Sequence, residues 1–228
     1  METKIINIKE IGNFIKPLDL IIVKGNSIYS GAISAVEKLF LGDGEWTHVG
    51  VVIDTTILPI KNGVAGKLYL WQSTLSNKED GDIESGKGRI GVQISDLTKV
   101  IKYYNKGKNQ KIAWCKLLSN PLDKKIEETV EEYNKRVIDV KAILLSFYEE
   151  NESKLYDCNP CALFKSICSC IPNPCGQRTL YFCSELVTKI YQLVGLIDPK
   201  LDPETIAPTE LVDCDDPLVE LPPVLIKN

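Results

Sequence analysis

Short apolar runs rich in β-branched residues recur along the first half of the chain, each bounded by polar or turn-forming residues. Runs of this kind are typical of buried strands. The sequence predicts strands at 17–23, 46–53, 67–73, 90–94 and 111–118. Asn62-Gly63 favours a turn between the second and third strands, so we expect these two to be antiparallel neighbours.

Apolar residues at helical spacing predict four helices among these strands and after them. They cover about 27–42, 97–104, 123–150 and 183–194. Ser95 or Asp96 can cap the second helix, and Gly195 is well placed to end the last one. Outside these helices, the sequence predicts a short strand or helix within 4–16, a surface loop at 75–88 and a short turn or helix at 205–211.

The size and composition of the chain fit one domain with a substantial core. It has 228 residues, of which 44% are apolar and 25% charged. We expect a single α+β domain over residues 1–228, with its core at about 17–211. A net charge of −4 argues against a nucleic-acid partner, because phosphate binding requires a basic face. No signal-peptide pattern or long apolar run is present, which predicts a cytoplasmic protein without a transmembrane segment and leaves peripheral membrane contact open.

The strongest chemical signal is a cysteine in the first turn of the last predicted helix. The unsatisfied N–H groups and the positive end of the helix dipole favour a thiolate at Cys183, and they can also bind a developing oxyanion. A thiol nucleophile needs a base, and His48 is the only histidine in the chain. The alternatives are a buried structural thiol and a strand-end histidine that is simply hydrogen-bonded.

Two blocks of the sequence resemble the NlpC-type cysteine peptidases. The histidine block is Leu18-Asp19-Leu20-Ile21 with Thr47-His48-Val49-Gly50-Val51-Val52, and the nucleophile block is Phe182-Cys183-Ser184-Glu185-Leu186-Val187 with Tyr191 and Gly195-Leu196. In ordinary members of that family the cysteine precedes the histidine, whereas here it follows. This order resembles the circularly permuted branch, which has bacterial, eukaryotic and large-DNA-virus members. Tyr156-Asp157 and the segment 206–211 are also similar to that branch.

The resemblance implies a papain-like fold, with a small antiparallel sheet packed on helices, and a cysteine-dependent hydrolase without a cofactor. Cys183 would be the nucleophile and His48 the base, and Ser184 and Tyr156 are expected to support the oxyanion site. The implied substrates are peptides, amides or acyl esters. An acyltransferase acting on lipids and a non-catalytic binding module of the same fold are the alternatives.

The third catalytic group implied by the resemblance is a polar residue on the strand after the histidine strand. The matching position is Gln72, where the permuted branch commonly has glutamate. An amide can hold the imidazole tautomer, but it stabilises an imidazolium less than a carboxylate does. Gln72 could equally be an ordinary strand-edge amide.

Five of the eight cysteines lie in a segment rich in proline and small polar residues, at 157–178. They are Cys158, Cys161, Cys168, Cys170 and Cys175. In a reducing compartment their number does not imply disulfides. Their spacing is not that of two CxxC knuckles, and no histidine is nearby. We expect a loosely packed loop without metal; a zinc-stabilised interaction module is the alternative.

Overall fold

Seven strands of the chain form one mixed sheet with helices on both faces. The computed structural model describes residues 4–25, 46–74, 81–88, 90–152, 154–156, 180–212 and 218–228. The strands of the sheet are β1 (Ile5–Asn7), β2 (Leu20–Lys24), β3 (His48–Ile53), β4 (Tyr69–Thr74), β5 (Gly91–Asp96), β6 (Lys111–Cys115) and β9 (Val224–Lys227). Their order is β1-β9-β6-β2-β3-β4-β5. β7 (Leu155–Tyr156) and β8 (Leu180–Tyr181) form a separate parallel pair.

Four α-helices lie among the described residues. They are α1 (Ile11–Phe14), α2 (Leu97–Tyr104), α3 (Val130–Asn151) and α4 (Cys183–Leu193). Single turns of 3-10 helix span Ile8–Glu10 and Pro203–Thr205, and the segment after the second of these is a turn rather than a helix. The helix predicted at 27–42 lies outside the described residues.

The mixed α+β class is confirmed, but the sheet is not the small antiparallel one expected, and the core extends beyond the predicted range of about 17–211. β1 and β9 come from outside that range, and they pair with each other in parallel. β9 also pairs antiparallel with β6, which joins both strands to the main sheet. The short strand or helix predicted within 4–16 is confirmed by β1, whereas the four residues of β9 show too little alternation to be recognised in a sequence. Their pairing depends on the two ends of the chain meeting in space.

Alternate residues of the central strands enter two hydrophobic clusters, one on each face of the sheet. On what we term the α4 face, Val49, Val51 and Trp71 pack with residues of α3 and α4. On what we term the α2 face, Val52 and Leu70 pack with residues of α1 and α2. Alternate residues of a strand therefore point to different faces, and the position of a residue along its strand (its parity) determines which cluster its side chain enters.

The predicted helix ends are confirmed for α2 and α4 but not for α3. Asp96 caps α2 by accepting a hydrogen bond from the N–H of Lys99, and Gly195 adopts a φ of 77° just after α4. The helix predicted from residue 123 begins only at Val130, because Thr129 forms a capping box with the following turn. The preceding Ile126 is fully exposed, so it does not belong to the apolar stripe predicted for this helix.

Candidate active site

Cys183 is the first residue of α4, as the sequence predicts. Phe182 occupies the N-cap position with extended backbone and makes no side-chain capping bond. Its own N–H donates a hydrogen bond of 3.3 Å to the carboxylate of Glu185. The nucleophile candidate therefore lies in the turn where the helix dipole favours negative charge.

Two buried hydrogen bonds attach α4 and the segment before it to the sheet. The hydroxyl of Ser73 on β4 donates to the carbonyl oxygen of Tyr181 over 2.7 Å. The hydroxyl of Tyr191 donates to the carbonyl oxygen of Leu18 over 2.7 Å. Burial raises the pKa of Tyr191 well above its ordinary value, so this hydroxyl keeps its proton. The predicted packing of this helix on the sheet is confirmed, with contacts to β3 and β4.

The side chains of His48 and Gln72 meet between β3 and β4. Nε2 of His48 lies 2.7 Å from Oε1 of Gln72. Gln72 is fully buried, and its Nε2 donates to the hydroxyl oxygen of Ser95 over 3.2 Å. Because a carbonyl oxygen only accepts, Nε2 of His48 carries the hydrogen, and in the neutral ring Nδ1 holds the lone pair. The predicted contact between Gln72 and His48 is confirmed.

The polar chain continues beyond Gln72 to two residues that the sequence analysis missed. Nε2 of Gln93 lies 3.3 Å from the same Ser95 hydroxyl oxygen, and Gln93 is the register partner of Gln72. Both Ser95 and Gln93 are buried. The alternation of β5 could have revealed them, because it places two polar residues on one face while Val92 and Ile94 occupy the other.

Cys183 lies at the same end of the sheet as the His48–Gln72 pair, but it belongs to the other face. Strand parity places His48 with Val52 on the α2 face, whereas Cys183 is part of the cluster on the α4 face. The bond from Ser73 to Tyr181 places the start of α4 where β3 begins and β4 ends. The Cys183 thiol and the His48 imidazole can therefore contact each other only around this end of the sheet, and that contact stays a prediction.

The remaining predicted site residues lie close to the start of α4. Ser184 follows Cys183 in the first helical turn and is buried. Tyr156 on β7 is the register partner of Tyr181, which brings its backbone to the segment before Cys183. Cys183 itself is only 4% exposed.

Asp19 within the histidine block has a structural role that the sequence did not indicate. Its buried carboxylate accepts hydrogen bonds from the N–H groups of Lys16 and Leu117 and from the indole of Trp114, at 2.9, 3.1 and 2.9 Å. Burial raises the pKa of this carboxyl above its ordinary value. These bonds hold the start of β2 beside the end of β6, and they do not involve the candidate site.

The other described cysteine, Cys115, is fully buried on β6. Burial raises the pKa of its thiol, so it is a poor candidate nucleophile. The five clustered cysteines and Cys214 lie outside the described residues. Within the described ranges, no group of three or more His, Cys, Asp or Glu side chains has the arrangement of a metal site. None of the helices described is both long and apolar enough to cross a membrane.

The sequence was compared with models of known protein families and with curated proteins. Neither comparison gave a match. Function is therefore inferred from the residues and geometry of the candidate site.

Proposed function

We propose that this protein is a cysteine-dependent hydrolase with a papain-like fold of the circularly permuted NlpC type, acting on peptide, amide or acyl-ester bonds. The observation that supports it most strongly is the 2.7 Å contact between His48 and Gln72 at the end of the sheet where α4 begins with Cys183. Three elements, β3, β4 and α4, thus bring a base, its orienting group and a helix-start cysteine to one end of the sheet.

The proposed reaction follows from the hydrogen-bonding state of the ring. Nδ1 of His48 takes the proton of the Cys183 thiol, and Gln72 holds Nε2–H throughout. The thiolate attacks the acyl carbon, and N–H groups in the first turn of α4 stabilise the oxyanion. As the C–N or C–O bond breaks, the imidazolium protonates the leaving amine or alcohol. Water, deprotonated by His48, then hydrolyses the thioester and regenerates the thiol.

Alkylation of Cys183 by iodoacetamide, mapped by peptide mass spectrometry from pH 5 to 9, tests this proposal. We expect Cys183 in the wild-type protein to react well below pH 8, because its proton is held by His48. In the His48→Ala variant, reaction should require alkaline pH. Cys115 in the same samples is the internal reference, and it should stay unmodified until the protein unfolds. Identical profiles for Cys183 in both proteins would sink the hydrolase proposal and favour the binding module.

A panel of activity-based acyl and peptide probes then addresses the substrate class. A hydrolase of this kind should form a covalent adduct at Cys183 with at least one electrophilic acyl probe. The adduct should be absent in Cys183→Ala and strongly reduced in His48→Ala. Hydrolysis that persists in Cys183→Ala would rule out the thiol as the nucleophile.

A further inference from the structure

Buried polar side chains behind the imidazole form a series of hydrogen bonds, termed the polar chain. Its donor-to-acceptor direction depends on how the oxygen and nitrogen atoms of its amides are oriented. It runs from His48 through Gln72 and Ser95 to Gln93 on the α2 face. Gln72 and Ser95 are fully buried and Gln93 is 3% exposed, so solvent does not replace a lost partner in this chain. We propose that Ser95, supported by Gln93, is a positioning residue that sets the tautomer of His48 through the amide of Gln72. The catalytic role of this tautomer selection rests on the function proposed above.

The amide of Gln72 can occupy its site in two orientations that differ by exchange of nitrogen and oxygen. With Oε1 toward His48, the imidazole must carry its hydrogen on Nε2, and Nδ1 is the basic nitrogen. With the amide nitrogen toward His48, Nε2 of the ring must accept a hydrogen bond and Nδ1 must carry the hydrogen. Nδ1 can then no longer act as a base. The orientation of one buried amide thus decides whether Nδ1 can take a proton.

Ser95 selects between these orientations because its hydroxyl has a single hydrogen. If that hydrogen is donated elsewhere, the hydroxyl oxygen can only accept from Gln72, which holds Oε1 toward His48. If the hydrogen is donated to Gln72, the opposite orientation is favoured. The acceptor to which Ser95 donates its hydrogen therefore decides the orientation of the Gln72 amide.

Gln93 offers the acceptor that Ser95 needs. Its Oε1 is a buried oxygen with no partner among the described residues, while its Nε2 faces Ser95. Only the exchanged orientation of this amide turns its oxygen toward Ser95, where it can accept the hydroxyl hydrogen. His48 then donates to Gln72, Gln72 to Ser95 and Ser95 to Gln93, and the imidazole is held in its Nε2–H form.

Nitrogen-15 NMR of the imidazole tests this inference directly, because the chain has one histidine and its signals need no assignment. Spectra are recorded at about pH 9, where an ordinary imidazole is neutral. The wild-type protein should show the Nε2–H tautomer in large excess. Ser95→Ala and Gln93→Leu should each reduce the ratio of Nε2–H to Nδ1–H about tenfold, as expected for the loss of one buried hydrogen bond. Ser95→Thr keeps the hydroxyl and should hold the ratio within about twofold.

Thr188→Val is the control, since it removes an equally buried hydroxyl, from α4 on the other face of the sheet. It should leave the tautomer ratio unchanged. A wild-type ring that is mainly Nδ1–H would overturn the inference, and this holds even if Ser95→Ala does not fold. Unchanged ratios in both Ser95→Ala and Gln93→Leu would show that the chain is structural only. The readout does not require catalysis, so an unreactive Cys183 would remove the proposed function while leaving the tautomer result intact.

Discussion

Gln72 and Ser73 are consecutive residues of β4 whose side chains form hydrogen bonds on opposite faces of the sheet. The side chain of Gln72 contacts His48 on the α2 face over 2.7 Å. The hydroxyl of Ser73 donates to the carbonyl oxygen of Tyr181, two residues before Cys183, over 2.7 Å. Because adjacent strand residues point to opposite faces, one strand position holds the proposed base and the next holds the segment that carries the proposed nucleophile.

Ser73→Ala tests this coupling. The variant leaves the carbonyl oxygen of Tyr181 without its buried donor, so we expect a loss of about 1–3 kcal/mol in the free energy of unfolding. The rate of Cys183 alkylation should also change, because the start of α4 is no longer held against β4. Urea unfolding and alkylation rates measure the two effects. Wild-type values for both would show that the hydrogen bond does not position α4.

Cys183→Ala and His48→Ala should each reduce turnover of a verified acyl substrate by at least about a thousandfold. Neither should change the circular dichroism spectrum, since both residues lie at the ends of their elements rather than at the centre of a cluster. Steady-state kinetics and thermal melts on the same samples check this. Near-wild-type turnover in either variant would remove that residue from the mechanism.

Cys115→Ala serves as the matched cysteine control. Cys115 is fully buried on the α4 face, and its thiol stays protonated because burial raises its pKa. We expect a loss of about 1–2 kcal/mol in stability from the removed sulfur and the small cavity, with unchanged turnover. A large loss of activity at undiminished stability would contradict this assignment.

Gln72→Glu should preserve or raise activity, because one carboxylate oxygen can accept from Nε2 of His48 and the other from the Ser95 hydroxyl. The negative charge raises the pKa of the neighbouring imidazole, so the acid limb of the pH–rate profile should move to higher pH. Gln72→Ala should reduce kcat/KM at least about tenfold, since the ring loses its orienting group. An unchanged kcat/KM in the alanine variant would exclude Gln72 from the site.

The ion pair of Arg136 and Glu128 predicts a pH-dependent contribution to stability. Nε and Nη2 of Arg136 donate to the two carboxylate oxygens of Glu128, each over 2.7 Å. Nη2 also donates to the carbonyl oxygen of Asp123, and Nη1 donates to that of Pro121. The hydrogen bonds from Arg136 lower the pKa of Glu128 from 4.5 to about 2. Because the folded-state pKa is depressed, the contribution is present above about pH 4.5 and is lost as the pH falls toward 2.

Glu128→Gln should therefore be less stable than the wild-type protein at pH 7, and the difference should shrink below pH 4.5. Urea unfolding midpoints across this range measure it. The exposed Glu149 on α3 provides the control, and Glu149→Gln should show little difference at any pH. A Glu128→Gln deficit that is equally large near pH 2 would contradict the prediction.

Local patterns in the sequence determined much of this protein. Hydrophobic alternation located five strands of the sheet, and helical spacing with a good cap or stop residue located α2 and α4. The same patterns predicted Cys183 at a helix start, His48 at a strand start and Gln72 on the next strand. Each of these depends on neighbours within one or two turns or strand repeats, which a sequence displays directly.

Tertiary structure alone decided the rest. β1 and β9 pair because residues 5–7 and 224–227 meet at the edge of the sheet. The chain from Gln72 through Ser95 to Gln93 joins residues of neighbouring strands that share one face. The placement of His48 and Cys183 on different faces follows from strand parity combined with which helix packs on which side. Such relationships are set by contacts between distant segments, which no local pattern encodes.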